Sequence, residues 1–175
     1  MSEALRAAAT PWWQEDQRRL ERERAAMYAV APELFWRYKG SGGWIGHVPL
    51  WPFGRRQPPG VAALVGHQPF QVTITCGHAY PMVEPRVWPE NASLPAIALG
   101  WTAWHLLPSG ALCLLQDRTS WDPSAHAADL IEKISGWYIE YHLMHRGCIT
   151  RMTEYGIAED DSLDRCMQEE DGPPE

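Results

Sequence analysis

The sequence predicts an α+β fold: an N-terminal helix, a four-stranded antiparallel meander sheet, an irregular crossing, and a C-terminal helix. Three observations carry this. Apolar and polar residues alternate strictly from Phe70 to Cys76, which makes one buried and one exposed strand face. From Ala127 to Tyr141 the apolar residues fall at helical spacing. Between the first helix and the Phe70 strand lie short apolar runs separated by Gly- and Pro-rich turns.

In chain order, Thr10-Pro11 reads as a helix start, Thr as cap and Pro at the first helical position. The helix is expected to reach about Ala29. Trp13, Leu20 and Met27 repeat every seven residues as a narrow apolar stripe. The charged run from Gln14 to Arg24 reads as a solvated face, with docking of a partner protein as the alternative. Pro32 ends this region. Leu34 to Lys39 and Trp44 to Leu50 are expected strands around the Gly40-Ser41-Gly42-Gly43 turn. Pro52 to Gly60 is a loop, and Val61 to Val65 reads as a short buried strand. In the next strand, phase places Cys76 in the core.

Tyr80 to Trp88 contains two prolines four apart, which impose an extended crossing with Glu84-Pro85 as a candidate cis bond. Pro89 to Pro95 continues as loop, and the apolar run Ile97 to Trp104 is expected to pass beneath the central segment. A helix then starts near Asp122 or Ser124. Ala127, Leu130, Ile131, Ile134, Trp137, Tyr138 and Tyr141 form its inner face, and Gly147 stops it. His142 and His145 read as surface histidines, and a short second helix is expected after Cys148.

At 175 residues the chain suits one domain with a full core. Apolar content of 45% with 21% charged residues fits a soluble globular protein. Residues 1–157 are expected to form the domain. Residues 158–175 hold eight acids and one base, which accounts for the whole formal charge of −7, and read as a disordered acidic tail. The remainder is near neutral without a basic patch, so no nucleic-acid partner is expected. No apolar run reaches the roughly 20 residues of a membrane span. The N-terminus shows no secretory h-region. Four scattered cysteines then read as thiols in a reducing cytoplasm. Cys76 and His78 are too few for a structural zinc site, which wants four ligands, so no metal or other cofactor is expected.

The chemistry concentrates between Trp104 and Trp121. Cys113 follows a Pro108-Ser109-Gly110 turn inside the apolar run Ala111, Leu112, Leu114, Leu115. A thiol there is either a small buried hydrophobe or a nucleophile. Trp121-Asp122-Pro123 begins eight residues after it, and Trp121 reads as a core anchor.

Several motifs in this order resemble the ubiquitin-conjugating (UBC-like) family over residues 70–137. Phe70-x-Val72-x-Ile74 leads into Tyr80-Pro81. Pro85-x-Val87 sits where the family's Tyr-Pro-x-x-Pro-Pro run ends and the next strand starts. Gly110-x-x-Cys113-Leu114 is similar to the active-site motif, and the eight-residue step from Cys113 to Trp121-x-Pro123 matches the family's step to Trp-x-Pro. The chain departs from the pattern too. The family's His-Pro-Asn triplet is missing, and His105 lies eight residues before Cys113. These departures look similar to divergent bacterial members of antiphage operons.

The resemblance implies a UBC-like fold and an acyl-carrier role for Cys113. The cysteine would accept the C-terminus of a ubiquitin-like protein, or of a cyclic-nucleotide synthase, from an adenylating activating enzyme, and pass it to an amine on a target protein. With the Asn missing, oxyanion donors are sought in Ser109, backbone N–H groups near Cys113, Asn91 or Thr102. His105 is a structural remnant or a base. Asp117 orients the incoming amine or is an ordinary loop carboxylate. Two alternatives remain: a non-catalytic UBC-fold module that holds partners, and a Cys-His hydrolase, for which no local signature is present.

Overall fold

In the computed structural model, residues 10–93, 102–115, 121–159 and 161–168 are described. They form a mixed α+β structure whose sheet has the order β1 (Leu34–Arg37), β2 (Gly43–Val48), β3 (Phe70–Thr75), β4 (Arg86–Pro89), each pair antiparallel. Leu34, Trp44, Val48, Phe70, Val72, Ile74 and Val87 fill the inner face. The close approach of β2 to β3 needs glycine at Gly43, because a Cβ there would strike the Ile74 carbonyl oxygen.

The N-terminal helix is interrupted. A single turn, α1 (Trp12–Glu15), precedes α2 (Gln17–Val30), and Asp16 at φ −119° separates them. Asp16, not Thr10, caps the long helix: its carboxylate accepts the Arg19 N–H at 2.8 Å. Leu20 and Met27 are buried as the stripe requires, but Trp12 rather than Trp13 is the buried tryptophan. The charged run is not wholly solvated, since Arg19 and Glu23 are buried within it.

Val61 to Val65 is not a strand. It forms α3 (Val61–Leu64), whose buried residues Val61, Leu64 and Val65 recur at helical and not alternating spacing. A five-residue apolar run is ambiguous between the two periods. Tertiary partners decide, as Arg146 Nη2 donates to the Ala63 carbonyl at 2.8 Å. The fourth strand is β4 instead, taken from the segment expected to be irregular. The cis bond is Tyr80-Pro81, not Glu84-Pro85.

The C-terminal helix is α4 (Ile131–His145), entered through a 3-10 turn at Ala127–Leu130. It starts later than Asp122 or Ser124, with Asp129 Oδ2 accepting the His126 N–H at 2.8 Å. Its inner face matches the expected stripe, and Tyr138 stacks on Phe70 at 4.3 Å between ring centroids. His142 is not a free surface histidine. It is half-buried with its ring edge-on to Tyr138 and Tyr141. Burial first, then the charges of His145 and Arg146, lower its pKa to about 4, so it is neutral at physiological pH.

Among the described residues no second α-helix follows Cys148. The chain returns across the body as turns and ends in a 3-10 turn, Asp164–Met167. The boundary at 157 is therefore too early. Leu163 and Met167 are buried, the Met167 carbonyl accepts the Gly60 N–H at 2.8 Å, and Arg55 grips Asp164 at 3.0 and 3.1 Å. The signal was two apolar residues four apart among the acids. Among the described residues no helix is long and apolar enough to cross a membrane.

Candidate active site

Cys113 is delivered by a small hairpin. Leu107 N–H donates to Ala111 O, Cys113 N–H donates to His105 O, both at 2.8 Å, and Leu106 faces Leu112 between them. Gly110, at φ +88°, turns the tip, which favours glycine. The Leu112 N–H donates to Val87 O at 2.9 Å and docks the hairpin on β4.

His105 and Cys113 are thus cross-strand neighbours. His105 occupies the left-handed region at φ +46°, a strained conformation for a non-glycine residue. Its imidazole is half-buried, and burial followed by the Arg151 charge lowers its pKa. Among the described residues it makes no hydrogen bond to the thiol; Cys113 Sγ instead donates to Leu115 O at 3.7 Å.

The thiol is half-buried, and burial first, then the Glu84 carboxylate, push its pKa above the usual thiol range. Glu84 is expected to matter measurably. Replacing it with Gln lowers the thiol pKa and enlarges the thiolate fraction at a given pH. Thiolate nucleophilicity falls less steeply than that fraction rises, so Cys113 alkylation by iodoacetamide at pH 8 should quicken by about two- to fourfold. Mass-resolved labelling of Cys113 checks this, and an unchanged rate would show that the Glu84 charge does not reach the sulfur.

Cys113 opens onto a groove of about 1070 Å³. One wall is the hairpin with its continuation through Leu114 and Leu115; α4 supplies Lys133, Trp137 and Glu140; the other wall is the 151–156 loop with Glu159. Buried Glu140 holds that loop. Its carboxylate accepts Thr153 N–H at 2.7 Å, Thr153 Oγ1–H at 2.8 Å and Ile157 N–H at 2.7 Å. Met152 N–H donates to Ala103 O at 2.9 Å, tying the loop to the segment before the hairpin.

The segment after the site is pinned from below. Trp121 is buried, as an anchor should be, and its Nε1–H donates to Pro81 O at 2.7 Å. Arg19 donates to the Pro123 and Ala125 carbonyls, while Glu23 holds Arg19, the His126 ring and the Ala127 N–H.

Of the expected site residues that are described, only His105 joins Cys113. Ser109 is exposed at the hairpin tip, at the far end from the thiol, where its Oγ accepts the Ala111 N–H at 3.5 Å. It is therefore displaced as an oxyanion donor. The Cys113, Leu112 and Ala111 N–H groups are already bonded. Asn91 is spent on Gln71 N–H and Pro69 O at the other end of β3. Asp117 and the Thr102 side chain lie outside the described residues. Glu84, Glu140 and Arg151 escaped sequence reasoning. The one local signal was Glu84, a carboxylate where the resemblance expects a proline.

The other cysteines differ. Cys76 is buried, and burial followed by Glu23 pushes its thiol pKa far up. Cys148 is exposed and Cys166 half-buried, both free. Among the described residues no group of three His, Cys, Asp or Glu is placed to hold a metal ion. Comparisons with known protein families, curated proteins and solved structures find no match to this chain.

Proposed function

We propose that this chain is a ubiquitin-conjugating-like enzyme of UBC-like fold that carries an acyl group as a thioester on Cys113. The observation that supports it best is the placement of the thiol: half-buried, on a hairpin docked to the sheet, and open to a groove of about 1070 Å³. That volume lies at or above the upper end for small-ligand pockets, about 300–1,000 Å³, and suits an extended polypeptide. The motif spacings around Cys113 support the family, and the departures from its pattern carry the proposed setting in bacterial antiphage defence.

The Cys113 thiolate attacks the thioester carbonyl held on the activating enzyme. A new C–S bond forms, and the activating enzyme's thiolate leaves. An amine of the target then attacks the same carbonyl. A C–N bond forms, Cys113 leaves as thiolate, and the amine proton passes to solvent or a nearby base. A raised thiol pKa leaves resting Cys113 protonated, so the first step requires that its proton be taken up as the thiolate attacks. The carrier is a ubiquitin-like protein or a cyclic-nucleotide synthase, and the thiol works in a reducing cytoplasm. His105, the cross-strand neighbour of Cys113 in the same groove, acts as a structural support or a base. If His105→Gln leaves transthiolation unchanged, the base role is lost.

A second reading, a non-catalytic module of the same fold, draws on the same raised pKa, since the resting thiol is protonated. Incubation with the cognate activating enzyme, carrier and ATP separates them on a non-reducing gel. A reducible adduct that disappears in Cys113→Ala is expected. Intact carrier binding with no adduct would leave the module. Peptide cleavage without ATP would point to a hydrolase.

A further inference from the structure

The groove contains two full cations among the described residues. Lys133 is taken, its Nζ 2.9 Å from Glu159 Oε1. Arg151 has no ion pair or hydrogen bond there. The groove acids do not compete for it: Glu140 is consumed by the loop, Glu159 by Lys133, and Glu154 has a partner of its own. Arg151 is also held in place by its neighbours, because the next residue, Met152, is bonded to Ala103 and the one after to Glu140. Its charge is felt at His105 but is not among the influences on the Cys113 thiol. It lines the same groove as His105 and Cys113.

A planar guanidinium left without a partner in a groove recognises a carboxylate. The chain bound longest in this groove is the one attached through the sulfur. We propose that Arg151 is a carboxylate-binding subsite for the acyl donor, reading an acidic side chain a few residues before the C-terminal carbonyl that Cys113 receives. This rests on the acyl-carrier reading of Cys113 and adds a sequence requirement to its donor. Apolar Leu114, Leu115 and Met152 line the stretch around it.

Fluorescent peptides of about nine residues, roughly 30 Å when extended, would span the groove. They carry Asp, Asn or Lys in turn at each of the positions before a C-terminal glycine, and are titrated into the Cys113→Ala protein at low and high salt. At one position, Asp should bind about five- to tenfold tighter than Asn, with the gap narrowing in salt. Arg151→Gln should abolish the preference, and Arg151→Lys should restore part of it. Equal binding of Asp and Asn at every position, no binding at all, or a preference that survives Arg151→Gln overturns the proposal. The same peptides as C-terminal thioesters are offered to the unmodified protein, and Cys113 acylation is read by mass. An Asp preference in binding without any acylation would keep the subsite and remove the acyl carrier. Acylation without an Asp preference would do the reverse.

Discussion

Replacing Glu23 with Ala is expected to lower the unfolding free energy by about 3–5 kcal/mol, the usual cost of removing one partner from a buried charge pair. For a chain of this size that is a fall of roughly 6–20 °C in Tm. Glu23 is fully buried, at 0% exposure. One oxygen lies 2.7 Å from Arg19 Nε and 3.2 Å from His126 Nδ1, and the other accepts the Ala127 N–H at 3.0 Å. Without it, the Arg19 guanidinium keeps only carbonyl partners in a site that excludes water, and a backbone donor is orphaned. Arg19 also lies against the Tyr80 ring, 5.6 Å from its centroid, so the damage reaches the crossing that Trp121 grips. Replacing both Arg19 and Glu23 with Met should cost clearly less than the sum of the single changes, because no charge is left behind. Denaturant unfolding of the three variants measures this. A loss below about 1 kcal/mol for Glu23→Ala would show that the pair contributes no more than an exposed one.

Glu140→Ala should produce the second large effect, and a local one. Three donors converge on this carboxylate, so the loss is about 2–4 kcal/mol, as for buried groups left unsatisfied. The 151–157 loop then loses its attachment to α4, and cleavage within it by thermolysin should rise about tenfold or more as local opening becomes cheaper. Glu140→Gln is not a rescue. Its amide turns N–H groups towards donors, so it should recover at most part of the protection. If the loop resists protease as before, the wall of the groove is held by something other than Glu140. Because Arg151 and Met152 stand on that loop, adduct formation at Cys113 should weaken in parallel.

Much of the fold was legible. The Phe70 strand was visible because a half-buried strand alternates at period two, and α4 because its apolar residues keep helical phase over about four turns. Cys76 and Trp121 were placed in the core by phase and by size. What misled was short or charged. Val61 to Val65 is too brief for either period to dominate. Arg19 and Glu23 look like any solvated pair, since nothing local announces that His126 and Ala127 will close over them. The acidic end concealed Leu163 and Met167 among acids, one of which, Asp164, is itself held by Arg55.

The site was legible only at its sulfur. Cys113, its turn and its neighbour His105 follow from a hairpin nine residues long, whose bonds are local. Ser109 failed because a hairpin tip and its base point to opposite ends. The fold joins parts of the chain that sequence order keeps apart: at the groove Glu140 meets Thr153 and Ile157, and elsewhere Arg55 meets Asp164 across 109 positions and Arg19 reaches Ala125 across 106. By itself, the sequence determined the strands and helices with strong periodicity, the core phase of each, and which thiol follows the Pro108-Ser109-Gly110 turn. Side-chain periodicity is a local property of the backbone. Only the tertiary structure decided which charges are buried, which carboxylate braces the groove and which arginine is left unpaired there. Those outcomes depend on desolvation and on partners that distant segments bring together.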